Sequence, residues 1–184
     1  MKKTILLIIT VLLLAVSSPA YSSDAAISGV TIARESDFKI NFLVENAFNK
    51  DIEEAIKSGV PTSFTFIVKL FRVNDGWFDD EIGRWEFRHT VKYDTFKEEY
   101  EVTLDEKGGP SIRTKDISEM KRVMAAGDAV TLNPVMRLAR GQSYQIKIMA
   151  ELRTVKLPFL LDYMFFFVKL WDFETGWYTG TFTI

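Results

Sequence analysis

The sequence predicts a mainly β protein, an antiparallel β-sandwich or partly open barrel of about eight or nine strands with two short α-helices. Three observations carry that expectation. Apolar residues alternate with polar ones over most of the chain, the period of a strand with one face in water. Fifteen phenylalanines, six tyrosines and four tryptophans supply large apolar surfaces for the buried face. Only two stretches keep the helical period instead.

In chain order the first element is a leader. Lys2 and Lys3 precede an apolar run from Ile5 to Val16 and small residues around Ser18, Pro19 and Ala20, the three-part build of a secretory signal peptide. The run is short of the roughly 20 residues a helix needs to cross a bilayer, so no transmembrane span is expected after cleavage. Cleavage after Ala20 or Ser22 takes residues 1–22 as signal peptide and leaves 23–184 as a single β-rich domain, exported to the periplasm. The chain has no cysteine, so a lipid anchor on that residue is excluded and no disulfide staples the fold. About 160 residues suffice to bury a core without one.

Weak alternation marks strands at Ile27 to Arg34 and Phe38 to Asn46, with Ser36-Asp37 as a turn between them. "NKDIEEAIKSGVP" then offers Asn49 as an N-cap, acids in the first turn, and Ile52, Ala55 and Ile56 at helical spacing, stopped by Gly59 and Pro61. In the next strand Phe64, Phe66, Val68 and Leu70 share one apolar face. The clearest strand is "RWEFRHTVKY": Trp85, Phe87, His89, Val91 and Tyr93 form an aromatic face opposite Arg84, Glu86, Arg88, Thr90 and Lys92. Tyr100 to Leu104 follows, and "LDEKGGPSIRTKD" reads as an exposed loop broken at Gly108-Gly109-Pro110. Asp116 with Glu119 then forms a capping-box-like start for a second helix, with Ile117, Met120, Val123 and Met124 as its stripe and Gly127 as its close. "SYQIKIMAELR" alternates again, Tyr144, Ile146, Ile148, Ala150 and Leu152 facing the core, and Tyr178 to Ile184 is the last strand.

"FIVKLFRVNDGWF" at Phe66 is echoed a hundred residues later by "FFVKLWDFETGWY" at Phe166. In both copies a glycine holds the third place after the strand, which a three-residue hairpin loop needs for its left-handed position, so one hairpin built twice is expected. The second copy differs in having Phe165, Phe167, Lys169, Trp171 and Phe173 on the face opposite its core side. A strand apolar on both faces is either covered or presents a binding surface. Phe165, Phe167, Lys169, Trp171, Phe173 and Trp177 are therefore the candidate ligand- or partner-binding residues.

Chemistry finds little purchase. The leader holds two of the chain's 23 basic residues and none of its 25 acids, so 21 face 25 in the remainder, a net charge of −4 that suggests no nucleic-acid partner. His89, the only histidine, is a candidate base or metal ligand, but its alternation puts it on a core face with one hydrogen bond. With no cysteine, no second histidine and no Gly-x-Ser-x-Gly elbow, neither zinc chemistry nor triad hydrolysis has its residues. Asp75, Asp79, Asp80 and Glu81 lack calcium-loop spacing and read as a solvated hairpin.

The run "EEAIKSGVP", "WFDDE", "KYDTFKEEYEV", "KLPF" and "WDFETGW" resembles the bacterial domain-of-unknown-function family 4390 over nearly all of the mature chain. The pieces that carry the resemblance are Ala55 with Gly59 and Pro61, Tyr93-Asp94 with Tyr100, Leu157-Pro158, and Trp171 with Trp177. The family's aspartate before the Leu-Pro pair is absent from "LRTVKLP". The resemblance implies a setting near membrane sensor kinases and no activity. The expected role is a non-enzymatic interaction module of the periplasm or envelope, accessory to envelope sensing, that binds a protein partner through aromatic surface. The alternative is a binding protein or sensor for an apolar small molecule such as an acyl chain, and an enzyme ranks third. No catalytic residue, metal site or cofactor is expected.

Overall fold

The computed structural model describes residues 25–33, 38–74, 76, 78–134, 136–154 and 173–184; the expected signal peptide and the Ser36-Asp37 turn lie outside them. The architecture is a sandwich of two antiparallel sheets. The smaller has strand order β1-β2-β7, with β1 Ala26–Ala33, β2 Phe38–Glu45 and β7 Ala126–Leu132. The larger runs β10-β8-β3-β4-β5-β6, with β3 Thr62–Arg72, β4 Asp80–Asp94, β5 Glu99–Leu104, β6 Ile112–Thr114, β8 Ser143–Thr154 and β10 Tyr178–Thr183. A two-residue strand, β9 at Phe173–Glu174, also pairs with β8. No barrel closes among the described residues, because both sheets end in edge strands.

Alternation decides which residues meet between the sheets. Phe64, Phe66, Val68 and Leu70 of β3 are buried together with Ile146, Ile148, Ala150 and Leu152 of β8 and with Ile40, Phe42 and Val44 of β2. Phe42 crosses the gap to Phe66 edge-on, with ring centres 5.3 Å apart, and Phe38 stacks on Phe182 at 5.7 Å. Full burial stabilises the fold by roughly 1.5–3 kcal/mol for each such side chain.

The smaller sheet is too narrow to cover the whole inner face of the larger, and the helices complete the cover. Each helix is also a crossover between sheets: α1, Lys50–Lys57, joins β2 to β3, and α2, Ile117–Ala125, joins β6 to β7. α1 packs near β4, while α2 packs against β4, β5 and β6. Asn49 caps α1 as its sequence foretells, Oδ1 accepting the Ile52 amide at 2.9 Å, and Ile52, Ala55 and Ile56 are its buried face. Lys121 of α2 pairs with Glu53 of α1 and ties the two helices together.

Four expectations need correction. The second helix has only half a capping box: Asp116 accepts the Ser118 amide at 2.8 Å, but Glu119 turns to the Thr114 hydroxyl at 2.6 Å. Gly127 does not close it, because α2 ends at Ala125 and the chain is already extended at Ala126, the first residue of β7. The stretch expected as one exposed loop contains a 3-10 turn at Asp105–Lys107 and the strand β6. The echoed hairpin is not built twice. The first copy is a β3–β4 hairpin, from Arg72 to Asp80 at the strand ends, with Gly76 at φ +83°. In the second, β9 and β10 run in the same direction along β8, and Gly176 has no positive φ. Thr175 fills the irregularity between them, its amide donating to Ala150 O at 2.9 Å and its hydroxyl accepting the Ala150 amide at 3.0 Å.

Candidate functional site

Of the residues expected to bind, Phe165, Phe167, Lys169 and Trp171 lie outside the described residues. Phe173 opens β9 and pairs with Leu152 through the backbone. Trp177 is 41% exposed, and Lys69, on the side of β3 opposite the core, holds its ammonium 5.2 Å from the ring centre. The described part of the expected aromatic surface is therefore one tryptophan under one cation.

A different place gathers more chemistry. A cavity of about 560 Å³ opens where the smaller sheet gives way to α2, walled by Phe42 of β2, Leu104 and Glu106 around the 3-10 turn, and Arg122 and Val123 of α2. Its far wall is Gly127 and Asp128 of β7. Gly127 is required there, since a Cβ would sit 2.2 Å from Phe42 Cε1 and displace the ring that forms the wall.

Beside Gly127 the β2–β7 ladder is broken. Ile40 pairs with Val130 and Phe42 with Gly127, so Asp128 and Ala129 face Asn41 alone, a bulge that puts Ala129 at φ +48°. A residue with a Cβ held in that region costs about 1–3 kcal/mol. The bulge is pinned from both sides: Asn41 Oδ1 accepts the Ala129 amide at 2.8 Å, and Lys107 Nζ donates to Asp128 O at 2.5 Å.

Behind the cavity lies His89. Its alternation places it on the core face of β4, and it is fully buried, its ring inclined at 64° to that of Phe66 with 4.7 Å between centres. It makes two hydrogen bonds rather than the expected one: Nδ1 to Met124 O at 3.0 Å and Nε2 to Glu106 Oε1 at 3.1 Å. A carbonyl oxygen can only accept, so Nδ1 carries a proton. Nε2 and Oε1 then share one further proton across their contact, which makes the pair either imidazolium and carboxylate or two neutral groups. Burial pushes the Glu106 carboxyl up, but the hydrogen bond and the charge of His89 outweigh it and hold the group below its usual range. Met124 is in the last turn of α2, where the carbonyl end of the helix favours a cation.

Both ring nitrogens are engaged and none of the ring is exposed, so His89 does not itself face the cavity. Glu106 does. Its side chain is 10% exposed, but its second oxygen, Oε2, is closed off from the cavity as well as from solvent and has no hydrogen-bond partner within the chain. Leaving a buried acceptor unmatched costs roughly 1–3 kcal/mol, more for a charged group. Among the described residues no cluster of histidine and acidic groups could hold a metal ion, and the Asp80 carboxylate of the acidic hairpin is taken by Arg72 at 2.6 Å.

Sequence reasoning found His89 but missed Glu106, Asn41 and the bulge. "DEK" before two glycines carries the signature of an exposed turn, and nothing local says that its middle residue meets a histidine 17 positions earlier. No curated protein and no solved structure matches the chain. Over residues 23–181 the chain matches the family described as Domain of unknown function (DUF4390), and it belongs to that family.

Proposed function

We propose that the protein is exported to the periplasm and acts there as a non-enzymatic binding module, accessory to envelope sensing, that takes a small molecule into the cavity beside α2. The observation that carries this reading is the cavity itself, about 560 Å³ and so of ligand size, with Phe42, Leu104 and Val123 beside the charged Glu106 and Arg122 in its wall. The strained bulge at Ala129 supports it, since local strain concentrates at functional sites.

Native mass spectrometry on the protein purified from its own host tests the reading. The expected result is a bound small molecule that is lost from a Val123→Trp variant, in which an indole fills the cavity. A clean apo mass for the parent protein would count against it. N-terminal sequencing of the periplasmic fraction tests export, with Tyr21 or Ser23 expected as the first residue.

Trp177 and Lys69 favour a second reading, a protein partner docked on the outer face of the larger sheet. Trp177→Ala would then abolish partner recovery from a crosslinked envelope fraction while leaving the small-molecule mass unchanged.

A further inference from the structure

His89 has two hydrogen-bond partners and both offer oxygens: the Met124 carbonyl at Nδ1 and the Glu106 carboxyl at Nε2. A neutral imidazole carries only one N–H, and Nδ1 needs it for Met124 O. The contact between Nε2 and Oε1 therefore holds a proton of its own, on the ring or on the carboxyl. The count is the same whichever atom owns it. When that proton is lost, either a carboxylate faces the Nε2 lone pair, or the ring changes tautomer and a lone pair faces Met124 O. One of the two contacts must break.

Both contacts sit at the walls of the cavity. Met124 O is in the last turn of α2, and Glu106 is in the turn at Asp105–Lys107. The helix end is the firmer of the two: Met120, Met124 and Ala125 are buried and the chain passes directly into β7, whereas Asp105, Lys107, Gly108 and Gly109 are exposed. From the strands, His89 is met by Phe64 and Leu104 across the ladders and by the Phe66 and Phe87 rings, none of which titrates. The charges near the pair belong to the turn, α2 and β7. Lys107 donates to Asp128 O, Glu119 accepts from the Thr114 hydroxyl, and Arg122 stands 4.0 Å from Glu119 and is 72% exposed. The Asp105 and Asp128 carboxylates are like charges on the exposed side. A Glu106 carboxylate released from His89 has the remaining donors of Lys107 and Arg122 to turn to in the same wall.

We infer that the His89–Glu106 contact is a proton-dependent latch: with the shared proton it holds the turn at Asp105–Lys107 against the core, and loss of that proton as pH rises frees the turn and loosens the cavity wall. What this does to an occupant rests on the reading of the cavity as a binding site. The latch itself needs no occupant.

His89 is the only histidine, so its ring signals in the 15N,13C-labelled mature chain are unambiguous. The ring 15N and Glu106 carboxyl 13C shifts, followed from about pH 5 to about pH 9, report the shared proton. They should show its loss with one midpoint. At that midpoint the amide order parameters of Glu106, Lys107 and Gly108 should fall from about 0.85 to below about 0.6, while those of Val123 and Met124 hold. Glu106→Gln removes the need for the proton, since its amide N–H donates to Nε2 of a neutral ring whose Nδ1 still serves Met124 O. Its turn should stay rigid to about pH 9. Should that variant fail to fold, the parent titration decides alone.

A pair that keeps its proton throughout, or a turn that stays rigid after losing it, would overturn the latch. Loosening at Val123 and Met124 instead would overturn the assignment of the turn as the part that gives. A turn in Glu106→Gln that loosens at the parent's midpoint would show that another group drives the change. None of these readouts needs a ligand, so an empty cavity leaves the latch standing and a failed latch leaves the cavity reading standing.

Discussion

The two helices are of similar length and both carry the chain from one sheet to the other, yet their C-termini are finished in different ways. α1 is closed by its own continuation: the amides of Ser58, Gly59 and Val60 turn back onto the carbonyls of Glu54, Ile56 and Ala55 at 2.9–3.1 Å, with Gly59 at φ +84°. α2 has no such turn. The chain is already extended at Ala126, and the carbonyl of Met124 is met by the side chain of His89, brought in from the middle of the larger sheet. A helix closed locally can be placed anywhere in a fold. A helix closed by a distant histidine is bound to whatever else that histidine holds, here Glu106 and the cavity wall.

The largest test of this difference is His89→Ala. It leaves the buried Glu106 carboxylate without its partner and Met124 O without its donor, and should destabilise the protein by about 3–5 kcal/mol in urea unfolding. A loss below about 1 kcal/mol would mean that α2 needs no borrowed cap, and the contrast with α1 would collapse.

A smaller effect lies on the pH axis. Glu106 has a lowered pKa in the fold, so its contribution is complete above the ordinary glutamate range and is lost as pH falls through the folded value. Unfolding midpoints measured downward from about pH 7 should fall less steeply on the acid side for Glu106→Gln than for the parent. Equal slopes would show that the Glu106 carboxyl is not held low in the fold.

Gly127→Ala comes next. The added methyl must push Phe42 off its place against Phe66, costing about 1–3 kcal/mol and disturbing the cavity amides. Asn49→Ala should cost about 1 kcal/mol at the start of α1 and leave the cavity amides where they were, which is what local closure means. The smallest change is expected from Lys121→Ala, within about 1 kcal/mol, because its pair with Glu53 is partly exposed. Cavity shifts from either of the last two would show that α1 is coupled to the site after all.

The same contrast explains how much could be read from the sequence. Alternation in "RWEFRHTVKY" and "SYQIKIMAELR" assigns core faces correctly, because a half-buried strand writes its burial into its own period: Phe87, His89 and Val91 are buried, as are Tyr144, Ile146 and Ile148. Asn49, Gly59 and Pro61 delimit α1 because its caps are local. What was not legible depends on partners far along the chain. Gly127 looks like a helix stop, but it is there for Phe42, which lies across it from another strand. Glu106 looks solvated because its neighbours Asp105 and Lys107 are exposed. The shared "VKL" and "GW" of the two echoes suggest a shared hairpin, yet the second glycine belongs to a kink along β8, a pairing that its own letters do not encode.

The direct passage of α2 into β7 has a consequence for traffic. No residue separates Ala125 from Ala126, so the helical wall of the cavity passes directly into its strand wall, and the give in that wall is confined to the bulge at Asp128–Ala129. On the opposite side the turn at Asp105–Lys107 runs into Gly108 at φ +56° and then Gly109. The amides of that turn should exchange with solvent faster than those of α2, and the residence time of an occupant should lengthen when the turn is stiffened.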